Sequence, residues 1–492
     1  MLFITVSNLI FVYEGSYDNI FENVSFQIDT NWKLGFIGRN GRGKTTFLNL
    51  LLGKHRYSGV IRADTDFQYF PYPVRDQTQD TLDVLTALCP EAEEWELMRE
   101  LSLLDVDAEV LYRPFETLSN GEQTKALLAA LFLGSTRFLL IDEPTNHLDP
   151  DARQVVGNYL SGKRGFILVS HDRNLLDSCV DHILAINRTN IEIQQGNFSS
   201  WYQNKQRQDS FERAENAKLQ KEIGRLHNAA QRSAAWSDQT ERSKHGVASS
   251  GLKKDRGFWG HKAAKMMKRS KNIEARQQEA LEEKSKLLRN VEQQESLKLS
   301  PLPYFKERLI DAKDLYLFYD EIPVCGPLTF SVLQGDRIAL SGKNGSGKSS
   351  LLKLICGEEI SHSGSLQLGS GLMISYVPQD ASFLQGNLSD YAEQQNIDET
   401  LFKTILRKLG FERVQFEKDM TDYSSGQKKK VLLAGSLCQQ AHLYVWDEPL
   451  NFIDLFSRMQ IEDLILQFQP TLLFVEHDAR FRETIATKTI QL

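Results

Sequence analysis

Four short motifs occur twice in this chain, in the same order and at nearly the same separation. GRNGRGKTT around Lys44 returns as GKNGSGKSS around Lys348, 304 residues later. LSNGEQTK at Gly121 returns as YSSGQKKK at Gly426, and FLLIDEPTNHLD at Asp142 as LYVWDEPLNFID at Asp447, each after 305 residues. FILVSHD at His171 returns as LLFVEHD at His477 after 306. Constant order and spacing mean a duplicated domain. Each copy runs from a strand through a glycine-rich turn into a helix, then through short apolar strands such as 138–141 and 166–169 with helices between. That alternation predicts α/β layers around a largely parallel sheet.

The copies account for residues 1–200 and 303–492, and the stretch between them, 201–302, has a different pattern. Leu219, Ile223, Leu226 and Ala230 step at helical spacing, and Met266, Ile273, Ala280 and Leu287 step by seven. The two series predict the limbs of an antiparallel coiled-coil hairpin. SKHGVASSGLKKDRGFWG, residues 243–260, breaks the period and marks the tip, and Pro301 and Pro303 mark the return to the body. Charge separates the parts. Residues 201–300 hold 22 Lys and Arg against 13 Asp and Glu, and the rest holds 36 against 52. A basic arm on an acidic body points to a polyanionic partner for the arm.

Other classes lose ground on composition. No apolar run is long enough to span a bilayer, and the opening MLFITVSNLIFVYEG reads as strands, not as a leader, so a cytoplasmic protein is expected. Five scattered cysteines without a CxxC pair argue against disulfides, zinc or iron–sulfur clusters and for free buried thiols.

The chemistry sits in the repeats. In GRNGRGKTT, Gly38, Gly41 and Gly43 let the backbone approach β- and γ-phosphates at a helix N-terminus. Lys44 adds a charge, and the Thr45 hydroxyl can ligate Mg²⁺. Gly342, Gly345, Gly347, Lys348 and Ser349 repeat the arrangement. Asp142 and Asp447, each ending an apolar strand, are placed to hold the metal, and the adjacent Glu143 and Glu448 to polarise an attacking water. His171 and His477 read as γ-phosphate sensors.

P-loop, LSGGQ-like signature, Asp-Glu pair, Asp-containing D-loop and switch histidine together resemble the ATP-binding-cassette ATPases. That resemblance implies Mg²⁺-dependent ATP hydrolysis at two sites, each formed by one cassette's P-loop and the other's signature. Site one would combine Asn40, Lys44, Thr45, Thr46, Asp142, Glu143 and His171 with Ser424, Ser425, Gly426 and Gln427. Site two would combine Asn344, Lys348, Ser349, Ser350, Asp447, Glu448 and His477 with Ser119, Asn120, Gly121 and Glu122. Tyr13 and Tyr319 match the adenine-stacking aromatic. Two departures predict unequal sites. Where the second copy has Gln379 (SYVPQD) as a metal-side residue, the first has Tyr72 (QYFPYP), and the second D-loop reads PLNFID in place of PTNHLD.

Tandem cassettes joined by a long basic hairpin are similar to the ABC-F translation factors along the whole chain. DTNWKLGFIGRNGRGKTT, LYRPFETLS and MKRSK narrow the resemblance to the Lsa-type antibiotic-resistance branch. It implies a monomer that binds the 70S ribosome and sends its hairpin through the exit-tRNA site toward 23S rRNA, the P-site tRNA and the peptidyl-transferase centre. There it would relieve lincosamide, pleuromutilin and streptogramin A antibiotics. Candidate RNA contacts are Arg242, Lys244, Lys253, Lys254, Arg256, Lys262, Lys265, Lys268 and Arg269, with Phe258 and Trp259 either stacking on bases or packing the turn. Two alternatives stay open: a housekeeping ABC-F factor without a drug role, and the cytosolic ATPase of an importer.

Overall fold

The computed structural model describes residues 2–13, 19–133, 137–146, 148–187, 191–242, 297–319, 322–343 and 345–492, with scattered helical positions between 261 and 279. The chain divides into two compact units. The first is Met1–Ile186 with Ile191–Ser199 and Gln294–Leu492, and it holds both copies of the repeat. The second is Asn187–Asn190 with Ser200–Gln293, the greater part of the basic segment.

In the first copy, β1 (Phe3–Phe11) pairs with β2 (Phe21–Asp29), β3 (Lys33–Ile37) leads into α1 (Lys44–Leu51), and β4 (Ser58–Ala63) returns to the far side of β1. There follow β5 (Asp66–Phe70), α2 (Thr81–Leu88), α3 (Glu94–Leu103), α4 (Asn120–Leu133), β6 (Arg137–Asp142), α5 (Pro150–Ser161), β7 (Phe166–Val169), α6 (Arg173–Cys179), β8 (His182–Ile186) and β9 (Ile191–Gln195). The main sheet has the order β5-β6-β7-β3-β8-β9, parallel except for the β8–β9 pair. From β9 the chain enters α7 (Phe198–Arg242), which carries Leu219 and Ile223, both half-buried.

The second copy repeats the plan. β10 (Arg308–Tyr319), β11 (Ile322–Leu333) and β13 (His362–Leu368) form the antiparallel sheet, and β12 (Arg337–Ser341) leads into α8 (Lys348–Ile355). β14 (Ile374–Val377), α9 (Leu388–Gln394), α10 (Glu399–Lys408), α11 (Ser425–Cys438), β15 (Leu443–Asp447), α12 (Leu455–Phe468), β16 (Leu472–Val475), α13 (Ala479–Ile485) and β17 (Lys488–Gln491) complete it. Its parallel sheet runs β14-β15-β16-β12-β17. Strand for strand this is the first copy's order without β9. The chain is thus two tandem α/β domains, as the repeats predict.

Both faces of each parallel sheet are covered at its centre, which is why the central strands β6, β7, β15 and β16 read as nearly unbroken apolar runs. Alternate residues feed separate cores. Ile338, Leu340, Val445 and Leu473 pack toward α8 and the antiparallel sheet, while Ala339, Tyr444, Trp446, Leu472 and Phe474 pack toward the helices on the other face. In the first copy Ile4, Phe36, Phe47, Leu140 and Ile167 form the matching layer beside α1. Each such side chain contributes about 1.5–3 kcal/mol on burial. Leu297 and Leu299, ahead of 303, are buried in the second copy's core. They alternate with polar residues, a local pattern too short to read by periodicity alone.

The helix α7 stands where the first limb of the hairpin is expected. The tip, 243–260, lies outside the described residues, as do Met266, Ala280 and Leu287 of the returning limb. Among the described residues no helix is long and apolar enough to cross a membrane. All five cysteines are free, three buried and Cys356 and Cys438 half-buried.

Candidate functional site

Each P-loop turns from a central strand into a helix: β3 into α1, and β12 into α8. The turn closes on Gly43, at φ 91°, where an added Cβ would stand 2.5 Å from the Ile20 side chain. Only glycine fits both demands. Within the loop, the Lys44 ammonium donates to the carbonyls of Gly38 (2.8 Å) and Arg39 (3.3 Å). Lys348 does the same to Gly342 (2.9 Å) and Lys343 (2.7 Å). Both lysines are buried, and that burial lowers their pKa values.

The glutamates stand at strand ends with the backbone turned left-handed, φ 50° at Glu143 and 46° at Glu448. Their N–H groups donate to Val169 and Val475 of the neighbouring strands, at 2.9 and 3.0 Å. The turn aims each carboxylate at a histidine, His171 Nε2 lying 3.4 Å from Glu143 Oε1 and His477 Nε2 3.2 Å from Glu448 Oε1. The electrostatics differ between the copies. Burial, then repulsion from Asp142, raises Glu143 to about 7. Burial also pushes on Glu448, but hydrogen bonds and charge from His477, with Gln379 and Lys429, carry it below its ordinary value. Burial, with Lys44 and Arg458 nearby, holds His171 well below its usual range and neutral.

A cavity of about 520 Å³ is lined by Tyr13, Asn40, Gly41, Gly43, Lys44, Thr45, Thr46, Asp142, Glu143 and His171 from the first copy. Ser424, Ser425, Gly426, Phe452 and Arg458 line it from the second. The Asn40 side chain donates to the Phe452 carbonyl at 2.9 Å, tying the P-loop of one copy to the D-loop of the other. A second cavity, about 750 Å³, joins Tyr319, Gly345, Gly347, Lys348, Ser349, Ser350, Gln379, Glu448 and His477 to Ser119, Asn120, Gly121, Asp149 and Arg153. Glu122 and Gln427 do not line these cavities. They close capping boxes with Ser119 and Ser424 at the starts of α4 and α11, which fixes where the signature serines sit.

The metal-side residues diverge as well. Asp142 accepts from Thr45 Oγ1 at 3.1 Å and from the Tyr69 hydroxyl at 3.0 Å. Asp447 is fully buried, and neither of its oxygens has a hydrogen-bond partner among the described residues. Burial lifts it to about 6, with the nearby Ser349 hydroxyl, Lys429 and Lys348 offsetting only part. A buried carboxylate with both oxygens unsatisfied, on the cavity side that carries Ser349 and Gln379, fits a divalent cation. Tyr72, the first copy's residue at the Gln379 position, does not line the first cavity and is 37% exposed. Asn344 lies outside the described residues.

Sequence reasoning missed three site residues. Tyr69 shares its place with Tyr376 in QYFPYP and SYVPQD. Arg458 and Arg153 each follow the D-loop aspartate by four residues in both copies, a repeat signal as regular as the motifs themselves. Of the RNA-contact candidates, Lys265 and Lys268 are helical and exposed. Arg242 ends α7, and the rest lie outside the described residues.

The ABC transporter family model matches residues 21–146 and 325–451, together just over half of the chain. This chain belongs to the ABC transporter family. Its ATP-binding domains bind and hydrolyse ATP. It is similar, at 28% identity over 98% of this chain and 85% of the relative, to the ribosome protection protein VmlR of Bacillus subtilis. The ATP-binding protein Uup of Caulobacter vibrioides matches at 27% identity, over 96% of this chain and 74% of its own length. Among solved structures, the archaeal ribosome recycling factor aABCE1, in complex with ribosomal stalk protein aP1, shares the fold with a TM-score of 0.59. There the identity is 17%, over 96% of this chain and 84% of that one.

Proposed function

We propose that this chain is an ABC-F ATPase of the ribosome, in which ATP bound between the cassettes holds them together while the basic arm reaches into RNA. The observation that carries the proposal is the pairing of each P-loop with the opposite copy's signature across two cavities, in a chain whose inter-cassette segment is long and basic and opens on the helix α7. The likeness to VmlR supports the ribosome as partner.

In this reading Lys44 and Lys348 exchange their loop carbonyls for β- and γ-phosphate oxygens. Tyr13 and Tyr319 flank the bases. Thr45 and Asp142 would hold Mg²⁺ at site one, and Ser349, Asp447 and Gln379 at site two, where the ion would neutralise phosphate charge. Glu143 and Glu448 orient the attacking water and take its proton, with His171 and His477 fixing each carboxylate. The signature serines and glycines close the far wall and exclude bulk water. Residues 201–302 act as one arm, with Arg242, Lys244, Lys253, Lys254, Arg256, Lys262, Lys265, Lys268 and Arg269 on rRNA and tRNA phosphates. By the Lsa-type resemblance, the arm displaces lincosamides, pleuromutilins and streptogramin A from the peptidyl-transferase centre. The protein works in the cytoplasm and is monomeric off the ribosome.

The test is cosedimentation of E143Q/E448Q with purified 70S ribosomes, with and without ATP, at two salt concentrations. Loss of the water-activating carboxylates spares ATP binding, so the variant comigrates only with ATP. A tenfold rise in salt weakens it by about tenfold for each counterion released. No comigration in any condition overturns the ribosomal reading and returns the importer ATPase, to be sought with membrane-subunit bait.

A further inference from the structure

The two sides of the cassette interface are built from corresponding positions but different residues. Beside site one, Arg173 of α6 makes a double, forked hydrogen bond to Glu462 of α12, with Nη1 to Oε2 at 2.9 Å and Nη2 to Oε1 shorter still. Both side chains are buried, and they come from different copies. Arg173 lies two residues beyond His171, and Glu462 one helical turn beyond Arg458, both of which line that cavity. A second pair, Arg480 with Asp177 at 3.6 Å, crosses between the same two copies.

The repeat offset places the counterparts beside site two. Glu462 corresponds to Gly157 and Arg173 to Ala479, while Arg480 and Asp177 correspond to Asn174 and Glu483. All four counterparts border a cavity of about 380 Å³. One side therefore carries a buried, bidentate ion pair, and at the same positions of the other stand Gly157 and Ala479, which cannot form one.

We infer that the Arg173–Glu462 pair is a one-sided latch: the cassettes part first at site two, and nucleotide at site one is held longer. This rests on the reading of the two cavities as ATP sites. Parting at the latched side must break two charge-assisted hydrogen bonds together and leave two ions half-solvated before water reaches them. Among the described residues, parting at the other side breaks no such pair. Arg173 and Glu462 touch no phosphate in this scheme; they position the two copies.

The experiment loads full-length E143Q/E448Q with Mg²⁺ and radiolabelled ATP, then chases with unlabelled ATP. Lys348→Ala restricts trapping to site one, and Lys44→Ala to site two. The expected result is release from site one about tenfold slower than from site two. R173A, or the milder E462Q, speeds site-one release by about tenfold and leaves site two within about threefold. The charge exchange R173E/E462R restores slow release, which separates a lost latch from a misfolded variant. Equal release from the two sites in the parent overturns the latch, as does acceleration of both sites alike or failure of the exchange to restore slow release. Trapping of fewer than about two ATP per chain in the parent, or loss of both when either lysine is removed, overturns the paired-site reading itself and the latch with it.

Discussion

The buried charges of the second cassette determine how it responds to acid. Lys430 Nζ meets Asp454 Oδ2 at 2.6 Å with both groups buried, and Asp454 also accepts from the Ser457 N–H and hydroxyl. Burial opposes the charge, but Lys430 outweighs it, and the Asp454 carboxyl lies well below its ordinary value. A depressed carboxyl pKa binds fewer protons in the folded state than in the unfolded one. Its contribution to stability is therefore complete above about pH 4 and is lost progressively below it. Asp454→Asn should flatten that acid limb in urea titrations between pH 2.5 and 6. Lys430→Met leaves a lone buried carboxylate and should cost about 3–5 kcal/mol, with part recovered in the double variant. None of this was legible in the sequence. YSSGQKKK and PLNFID each show a charged residue, and only the fold brings Lys430 to Asp454. That the P-loop lysines, the glutamates and the histidines gather at two cavities was legible, because each motif is local and fixes its own turn. Tyr69 was not, because its hydroxyl reaches Asp142 across two neighbouring strands.

At the scale of elements, the first turns of α4 and α11 are near copies that meet different surroundings. A Cβ at Gly426 would lie 2.4 Å from the Phe452 carbonyl, which also accepts from Asn40. A Cβ at Gly121 would meet only Leu148 Cδ2, at an ordinary 3.5 Å. Gly426→Ala should therefore pry the signature helix from its own D-loop and lower ATP trapped at site one by about tenfold. Gly121→Ala should change site two by less than about threefold. Both values are read by filter binding in the Glu→Gln background, with the fold checked by circular dichroism. The α/β character and the largely parallel sheet of each copy followed from the repeats and from short apolar strands alternating with helices, but the strand order did not. Nor was the edge strand β9 legible, because the five residues IEIQQ are too short a run to read alone. Leu297 and Leu299 were not legible as core for a related reason: two inward leucines are too short a pattern to read alone.

For the whole molecule, the division of labour between body and arm makes separable predictions. Replacing 243–260 with a short Gly-Ser turn should leave ATP trapping unchanged, measured by the same filter assay. In the ribosome reading it should abolish protection of translation from a lincosamide in a purified system. Protection that survives the truncation would remove the tip from the mechanism. Charge bookkeeping made this division visible before any fold was known, because a surplus of positive charge in one segment of an acidic chain is a property of sequence. The unequal sides of the cassette interface were hidden from it, since a motif search aligns the copies and passes over positions where arginine faces alanine.

The left-handed backbone at Glu143 and Glu448 bears on what the fold selects for. A side chain held at such angles costs of order 1–3 kcal/mol, and a glycine would hold the same turn without that strain. A search for a hardier protein would therefore remove both carboxylates early, at the very positions where each strand hands the chain to its D-loop. In the ATPase reading proposed above, their presence in both copies marks two places where durability is traded against reactivity.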